Sequence, residues 1–170
     1  GGIRIIGPNC MGVYCPDRKI PYGSSFRKIG TSGSVGLISQ SGGIARKLID
    51  IGMARQINYS KVVSFGNGID LDASELLQYM AADPKTTIIG AYLEGTRRGQ
   101  HLFGTMKEVV KIKPLVIWKG GRTEVGAQAA MSHTGSLASS TAIWSAMLKQ
   151  AGAIEAHNLE ELSDALLIFQ

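Results

Sequence analysis

A chain of 170 residues with 44% hydrophobic and 18% charged residues is long enough for one well-packed domain and too apolar to be a disordered segment. Its 18 Lys and Arg against 13 Asp and Glu give a formal charge of +5, yet the basic residues are scattered (Arg46-Lys47, Arg97-Arg98, Lys107, Lys111, Lys113, Lys119, Arg122). That spread argues against nucleic acid as a partner and suits a small polyanion. No apolar run approaches the roughly 20 residues of a membrane helix, and nothing resembles a signal peptide. Cys10 and Cys15 are too few for a disulfide framework, and with His101, His133 and His157 far apart no zinc spacing exists. The expectation is a reduced, cytoplasmic protein with no metal site of its own.

Residues 1–30 stand outside the pattern that follows. They hold one strand-like run, residues 3–6, and then a stretch punctuated by Pro8, Pro16, Pro21 and Gly23. There is no initiator Met, so this stretch reads as the tail of a preceding domain plus a connector in a longer chain. From residue 31 onward, compact apolar runs bounded by Gly, Pro or Ser predict strands at 35–39, 61–65, 88–93 and 115–118, with a weaker one at 153–155. Between them, helical spacing of apolar residues predicts helices over 43–52, 72–82, 100–111, 138–151 and 159–169. Asp72 with Glu75 has the spacing of a capping box, and Asn158 suits the start of the last helix. Strict alternation of strands and helices predicts an α/β, flavodoxin-like, doubly wound parallel sheet of about five strands over residues 31–170. In that architecture ligands collect at the carboxyl ends of the strands.

The loops at those ends hold the candidate chemistry. Ser39-Gln40-Ser41-Gly42-Gly43 leads from the first predicted strand into a helix. Glycines admit an anion close to the backbone, the helix start offers unpaired N–H groups, and serines add hydroxyls. Ser and Gly also make ordinary strand-to-helix turns, and the final Gly-Lys-Ser/Thr of a Walker A loop is missing. Gly66-Asn67-Gly68 follows the second strand and suits a tight turn. Glu94-Gly95 places a carboxylate at the end of the third. After the fourth strand, Ser132-His133-Thr134-Gly135-Ser136 sets a histidine among small residues just before a helix start. A neutral imidazole oriented by a carboxylate is a competent nucleophile toward phosphorus, and Glu94 is the candidate carboxylate. No G-x-S-x-G elbow supports a Ser-His-Asp hydrolase.

Taken together, Gly7-Pro8-Asn9-Cys10-Met11-Gly12, Gly36-Leu37-Ile38-Ser39-Gln40-Ser41-Gly42-Gly43 and Ser132-His133-Thr134-Gly135-Ser136 resemble, in order and spacing, succinyl-CoA synthetase α subunits. The resemblance to ADP-forming acetyl-CoA synthetases is stronger still. It implies that residues 1–30 end a CoA-binding Rossmann domain and that residues 31–170 form the ligase domain. It also implies a relay from acyl-CoA and phosphate, through an acyl phosphate and a phosphohistidine, to ADP or GDP. His133 stands at the position of the phosphorylated histidine and Glu94 at that of its glutamate partner. Ser39, Ser41, Gly42, Gly43, Ser132, Thr134 and Gly135 fall where the phosphoryl group is held. Asn9, Gly66 and Asn67 fall on the acyl and phosphate side. The implied cofactors are CoA, ATP or ADP and Mg²⁺, and the implied partners an ATP-grasp domain or β subunit, the CoA-binding domain, a small carboxylic acid and phosphate, in a homo- or hetero-oligomer. The context Ser-His-Thr-Gly-Ser-Leu departs from succinyl-CoA synthetases and favours a short-chain or aryl acid. Two rivals remain: an acyl-CoA-sensing region of a protein acetyltransferase, and a flavodoxin-like nucleotide- or flavin-binding module.

Overall fold

The computed structural model describes residues 2–23, 29–121 and 140–170. Strands β1 (Gly12–Tyr14), β2 (Val35–Ser39), β3 (Tyr59–Ser64), β4 (Ile88–Leu93), β5 (Leu115–Lys119) and β6 (Ile154–Ala156) form one six-stranded sheet in the order β1-β3-β2-β4-β5-β6. β1 is antiparallel to β3, and every other neighbouring pair is parallel. Without the edge strand β1, this order is that of flavodoxin-like sheets, with the reversal between β2 and β4.

The described helices are α1 (Gly42–Arg55), α2 (Ala73–Ala82), α3 (Gly99–Val109), α4 (Thr141–Ala151) and α5 (Leu159–Phe169). They cover both faces, which is why the central strands are apolar on consecutive residues instead of alternating. Leu76, Leu77 and Met80 of α2, Leu102 and Met106 of α3 and Trp144 and Leu148 of α4 pack on one face against Ile38, Ile89 and Ile117. Leu48 and Ile49 of α1 and Leu162 and Leu166 of α5 pack on the other against Leu37, Ile88 and Val116. The expected caps form. Asp72 and Glu75 make a capping box at the start of α2, and the Asn158 side chain accepts from Glu161 N at 2.8 Å.

The amino-terminal stretch differs from expectation. Residues 3–6 are not a strand: Ile3 is 87% exposed and Ile5 51% exposed. They run over the loop after β3 as a strap, held where Arg4 pairs with Asp70 at 3.0 Å and Ile5 N donates to the same carboxylate at 2.6 Å. Ile69 N donates to Gly7 O and Leu71 N to Ile5 O. The strand in this stretch is β1 instead, three residues long and begun by a glycine, too brief to leave a periodic signal. Tyr14 and Tyr22 are buried in the same core as Leu37 and Leu48.

Candidate functional site

The carboxyl ends of β2 and β4 flank the reversal of strand order, and Gln40 ties them together. Its N–H donates to Tyr92 O at 3.0 Å, and its side-chain oxygen accepts from the backbone of Glu94 and of Gly95. Ser39, fully buried, turns its hydroxyl inward: it donates to Ser41 O at 2.7 Å and accepts from Ser41 N at 3.2 Å. Ser39 therefore shapes the turn and keeps its proton within it. Ser41 is the N-cap of α1, its hydroxyl oxygen accepting from Ile44 N at 3.3 Å. With that bond made and Ala45 N on Ser41 O, the first amides of α1, Gly42 and Gly43, have no partner inside the helix. The first turn carries no acidic residue. Tyr22 pins the turn from outside by donating to Gly42 O at 2.9 Å, while Gly43 stays exposed. Among the described residues, an exposed helix start whose first amides have no partner inside the helix and whose first turn holds no acid has a field that favours an anion.

A second group forms beside it. Asn67 N donates to Pro8 O at 3.0 Å, and the Asn9 amide nitrogen lies 3.5 Å from Asn67 Oδ1. Asn9, Gly66 and Asn67, distant in sequence, thus meet where the strap crosses the loop after β3. Gln40, Asn67, Asp72 and Arg97 line a cleft of about 380 Å³ between that loop and the start of α3. Its far wall is braced by Arg98, which reaches Asp72 at 2.8 Å and Glu75 at 2.7 Å and so fastens α2 to α3. Burial pushes the Glu75 carboxyl up, but hydrogen bonds from Asp72 and Arg98 outweigh it and hold the group down at about 2.

A carboxyl lowered from an ordinary 4.5 to about 2 contributes stability that is present above pH 4.5 and lost as pH falls toward 2. With Arg98 nearly half exposed, solvent screening limits the contribution to on the order of 1 kcal/mol. Arg98→Ala is expected to narrow its stability deficit between pH 6 and pH 3, read from urea midpoints. A deficit independent of pH would show that the fork is only packing.

Glu94, half-buried, follows β4 directly, and burial first, with Glu94 after it, pushes the Tyr92 phenol up to about 12. Lys119 is buried at the parallel end of β5, its ammonium on Gly120 O and 5.5 Å from the Trp144 ring centroid. Ser132, His133, Thr134 and Gly135 lie outside the described residues. Among the described residues no group of three or more His, Cys, Asp or Glu could hold a metal ion, and no helix is long and apolar enough to cross a membrane. Residue-by-residue reading missed Gln40, Tyr92 and the Arg4–Asp70 strap. Neither Gln40 nor the strap has a periodic signal, because their partners lie far away in sequence.

A mostly parallel sheet in the flavodoxin order, with a serine-capped helix starting at its reversal point, defines a doubly wound α/β domain. Residues 32–169 match the succinyl-CoA ligase like flavodoxin domain, and the chain belongs to that family. It is 44% identical over 168 residues to the acetate–CoA ligase [ADP-forming] of Methanocaldococcus jannaschii, covering 98% of this chain and 23% of that protein. It is 40% identical over 170 residues to the 4-hydroxybutyrate–CoA ligase [ADP-forming] of Nitrosopumilus maritimus, covering 98% of this chain and 24% of that one. The chain thus spans about a quarter of the length of these relatives. Its fold superimposes with a TM-score of 0.88 and 38% identity on the dinucleotide-forming acetyl-coenzyme A synthetase 1 of Ca. Korarchaeum cryptofilum, solved in complex with phosphate and ADP, covering 97% of this chain and 36% of that one.

Proposed function

We propose that this chain is the phosphoryl-carrying domain of an acyl-CoA synthetase that forms ATP from ADP, with residues 31–170 as the ligase domain and residues 1–30 joining it to a CoA-binding domain. In the synthetic direction for ATP, phosphate displaces CoA from the acyl-CoA and gives an acyl phosphate. His133 takes the phosphoryl group, releasing the carboxylate, and passes it to ADP (GDP is the alternative acceptor). Glu94 orients the imidazole. The amides of Gly42 and Gly43, the Ser41 hydroxyl and the Ser132, Thr134 and Gly135 segment hold the transferred group. Asn9, Gly66 and Asn67 face the acid and phosphate.

The observation that carries this reading is the start of α1: first amides with no partner inside the helix, a serine cap and no acid in the first turn, at the reversal point of the sheet. Phosphoryl transfer asks chiefly for positioning and charge stabilisation, and a helix start supplies both. The relatives named for acetate and for 4-hydroxybutyrate support a small acid, which we place among short-chain or aryl carboxylic acids. CoA, nucleotide and Mg²⁺ bind to the whole enzyme, with the nucleotide on an ATP-grasp domain or β subunit, in an oligomer in the cytoplasm.

The test uses the full-length protein, with its ATP-grasp partner where that is separate, incubated with γ-labelled ATP and Mg²⁺. Acid-labile, base-stable label is expected on the polypeptide, absent from His133→Ala and discharged by ADP. A folded wild-type protein that stays unlabelled would overturn the synthetase reading and favour an acyl-CoA-sensing role.

A further inference from the structure

The loop after β3 is held from outside by the strap of residues 4–9. Leu71 N donates to Ile5 O at 3.2 Å, Ile69 N to Gly7 O at 3.1 Å and Asn67 N to Pro8 O at 3.0 Å. The two segments therefore run antiparallel, with all three donors on the loop. Hydrophobic packing does little for the start of the strap, since Ile3 and Ile5 are exposed and only Ile6 of this run lies partly against the core. Charge fastens it instead. The Asp70 carboxylate accepts from Arg4 Nε at 3.0 and 3.2 Å, pairs with a terminal guanidinium nitrogen at 3.0 Å, and accepts from Ile5 N at 2.6 Å. A guanidinium fork fixes direction as well as distance, which a lysine ammonium does not. Asn67, Ile69 and Asp70, all bonded to the strap, also line the cleft of about 380 Å³. The strap itself carries Asn9 to within 3.5 Å of Asn67 Oδ1. One segment thus sets both asparagines.

We propose that Arg4 and Asp70 are positioning residues for the acid side of the site: their ion pair seats the strap on the loop and so fixes Asn9 and Asn67 beside the cleft. The inference rests on the reading of Asn9 and Asn67 as facing the acid and phosphate. Arg4 does not line the cleft and acts through the loop alone. With the strap seated, the loop is ordered before the acid arrives. Without it, ordering the loop is set against the binding of the acid and weakens it. The effect is confined to one half of the relay. Exchange of the phosphoryl group between ATP and His133 does not use this loop. Its transfer to the acid does: a carboxylate oxygen bonds to phosphorus, the P–N bond breaks, and the imidazole keeps the electron pair.

The experiment compares wild type, Arg4→Ala, Arg4→Lys, Asp70→Ala and the Ala double variant in the full-length enzyme, with its ATP-grasp partner where that is separate. Phosphoenzyme made from γ-labelled ATP is freed of nucleotide and then discharged by ADP, or by CoA with acetate, 4-hydroxybutyrate or benzoate. Hydrogen exchange reads the amides of Asn67, Ile69 and Leu71. Arg4→Ala is expected to take label from ATP and return it to ADP at wild-type rates, which also reports an intact fold. The acid concentration for half-maximal discharge is expected to rise about fivefold, and the three amides to lose protection by a similar factor, the scale of a well-formed exposed ion pair. Arg4→Lys is expected to recover part of both. Asp70→Ala, which also deprives Ile5 N of its acceptor, is expected to go further, and adding Arg4→Ala to it to change nothing more. An unchanged acid dependence in Arg4→Ala, with or without loosened amides, overturns the positioning role and leaves the relay standing. Wild-type label that ADP discharges but none of the acids does overturns the acid side on which the inference rests. Both outcomes differ from a wild type that takes no label, which is the failure of the relay itself.

Discussion

Gly43→Asp is expected to suppress labelling of the full-length enzyme by γ-labelled ATP about 100-fold or more while leaving the domain at least as stable as the parent. The two effects have opposite signs because they draw on the same field. Gly43 is in the first turn of α1, exposed, and a Cβ there would meet nothing nearer than Ser41 Oγ at 3.9 Å. A carboxylate in an acid-free first turn interacts favourably with the helix dipole, by about 0.3–1 kcal/mol, and any residue there relieves the entropy cost of glycine. The same carboxylate about 5 Å from a phosphoryl group costs on the order of 3 kcal/mol per unit charge at an effective dielectric of about 20. Gly43→Asn, neutral and of nearly equal size, separates charge from bulk and is expected to keep labelling within a few-fold. Wild-type labelling in Gly43→Asp would reduce the helix start to an ordinary turn.

Gly66→Ala is expected to cost about 3 kcal/mol or more of stability, the largest loss from adding a single carbon outside the main core. Gly66 has φ +55°, and a Cβ would lie 2.2 Å from Asn9 O and 2.3 Å from Pro8 O, both backbone atoms that cannot rotate away. The left-handed backbone alone costs an alanine about 1–2 kcal/mol, and the clash adds to it. Gly68→Ala is the internal control. It shares φ +55°, but its nearest contact is the edge of Phe65 at 3.2 Å, so only the backbone cost and a small adjustment apply. Urea midpoints of the two variants read the difference. Equal losses would show that the strap of residues 4–9 moves aside freely and does not seat Asn9 against Asn67.

Strands β2 to β6, the described helices and the caps of α2 and α5 were legible in the sequence because each is set by local chemistry. Runs such as Ile88-Ile89-Gly90-Ala91-Tyr92-Leu93 are apolar on both faces only where both faces are covered. Asp72 with Glu75, and Asn158 with Glu161, satisfy helix-start amides within a few residues of themselves. The start of α1 was legible for the same reason, since Ser41-Gly42-Gly43 breaks from β2 into the helix and Ser41 caps it within three residues.

Only the tertiary structure decided which distant groups meet. Arg4 finds Asp70, Asn9 finds Asn67 across the backbone of Gly66, and Gln40 bridges β2 to the residues after β4. None of these pairings has a sequence period, because the chain between the partners is closed by packing of the sheet, not by a turn with its own signature. The apolar run at residues 3–6 shows the converse: local pattern alone predicts a strand, while its contacts to Asp70, Ile69 and Leu71 lay it over the loop after β3 as a strap. Local hydrogen bonding and hydrophobic spacing act within a few residues and are written in sequence. Contacts made when β2, β3 and β4 align depend on the whole sheet, and they exist only once it has formed.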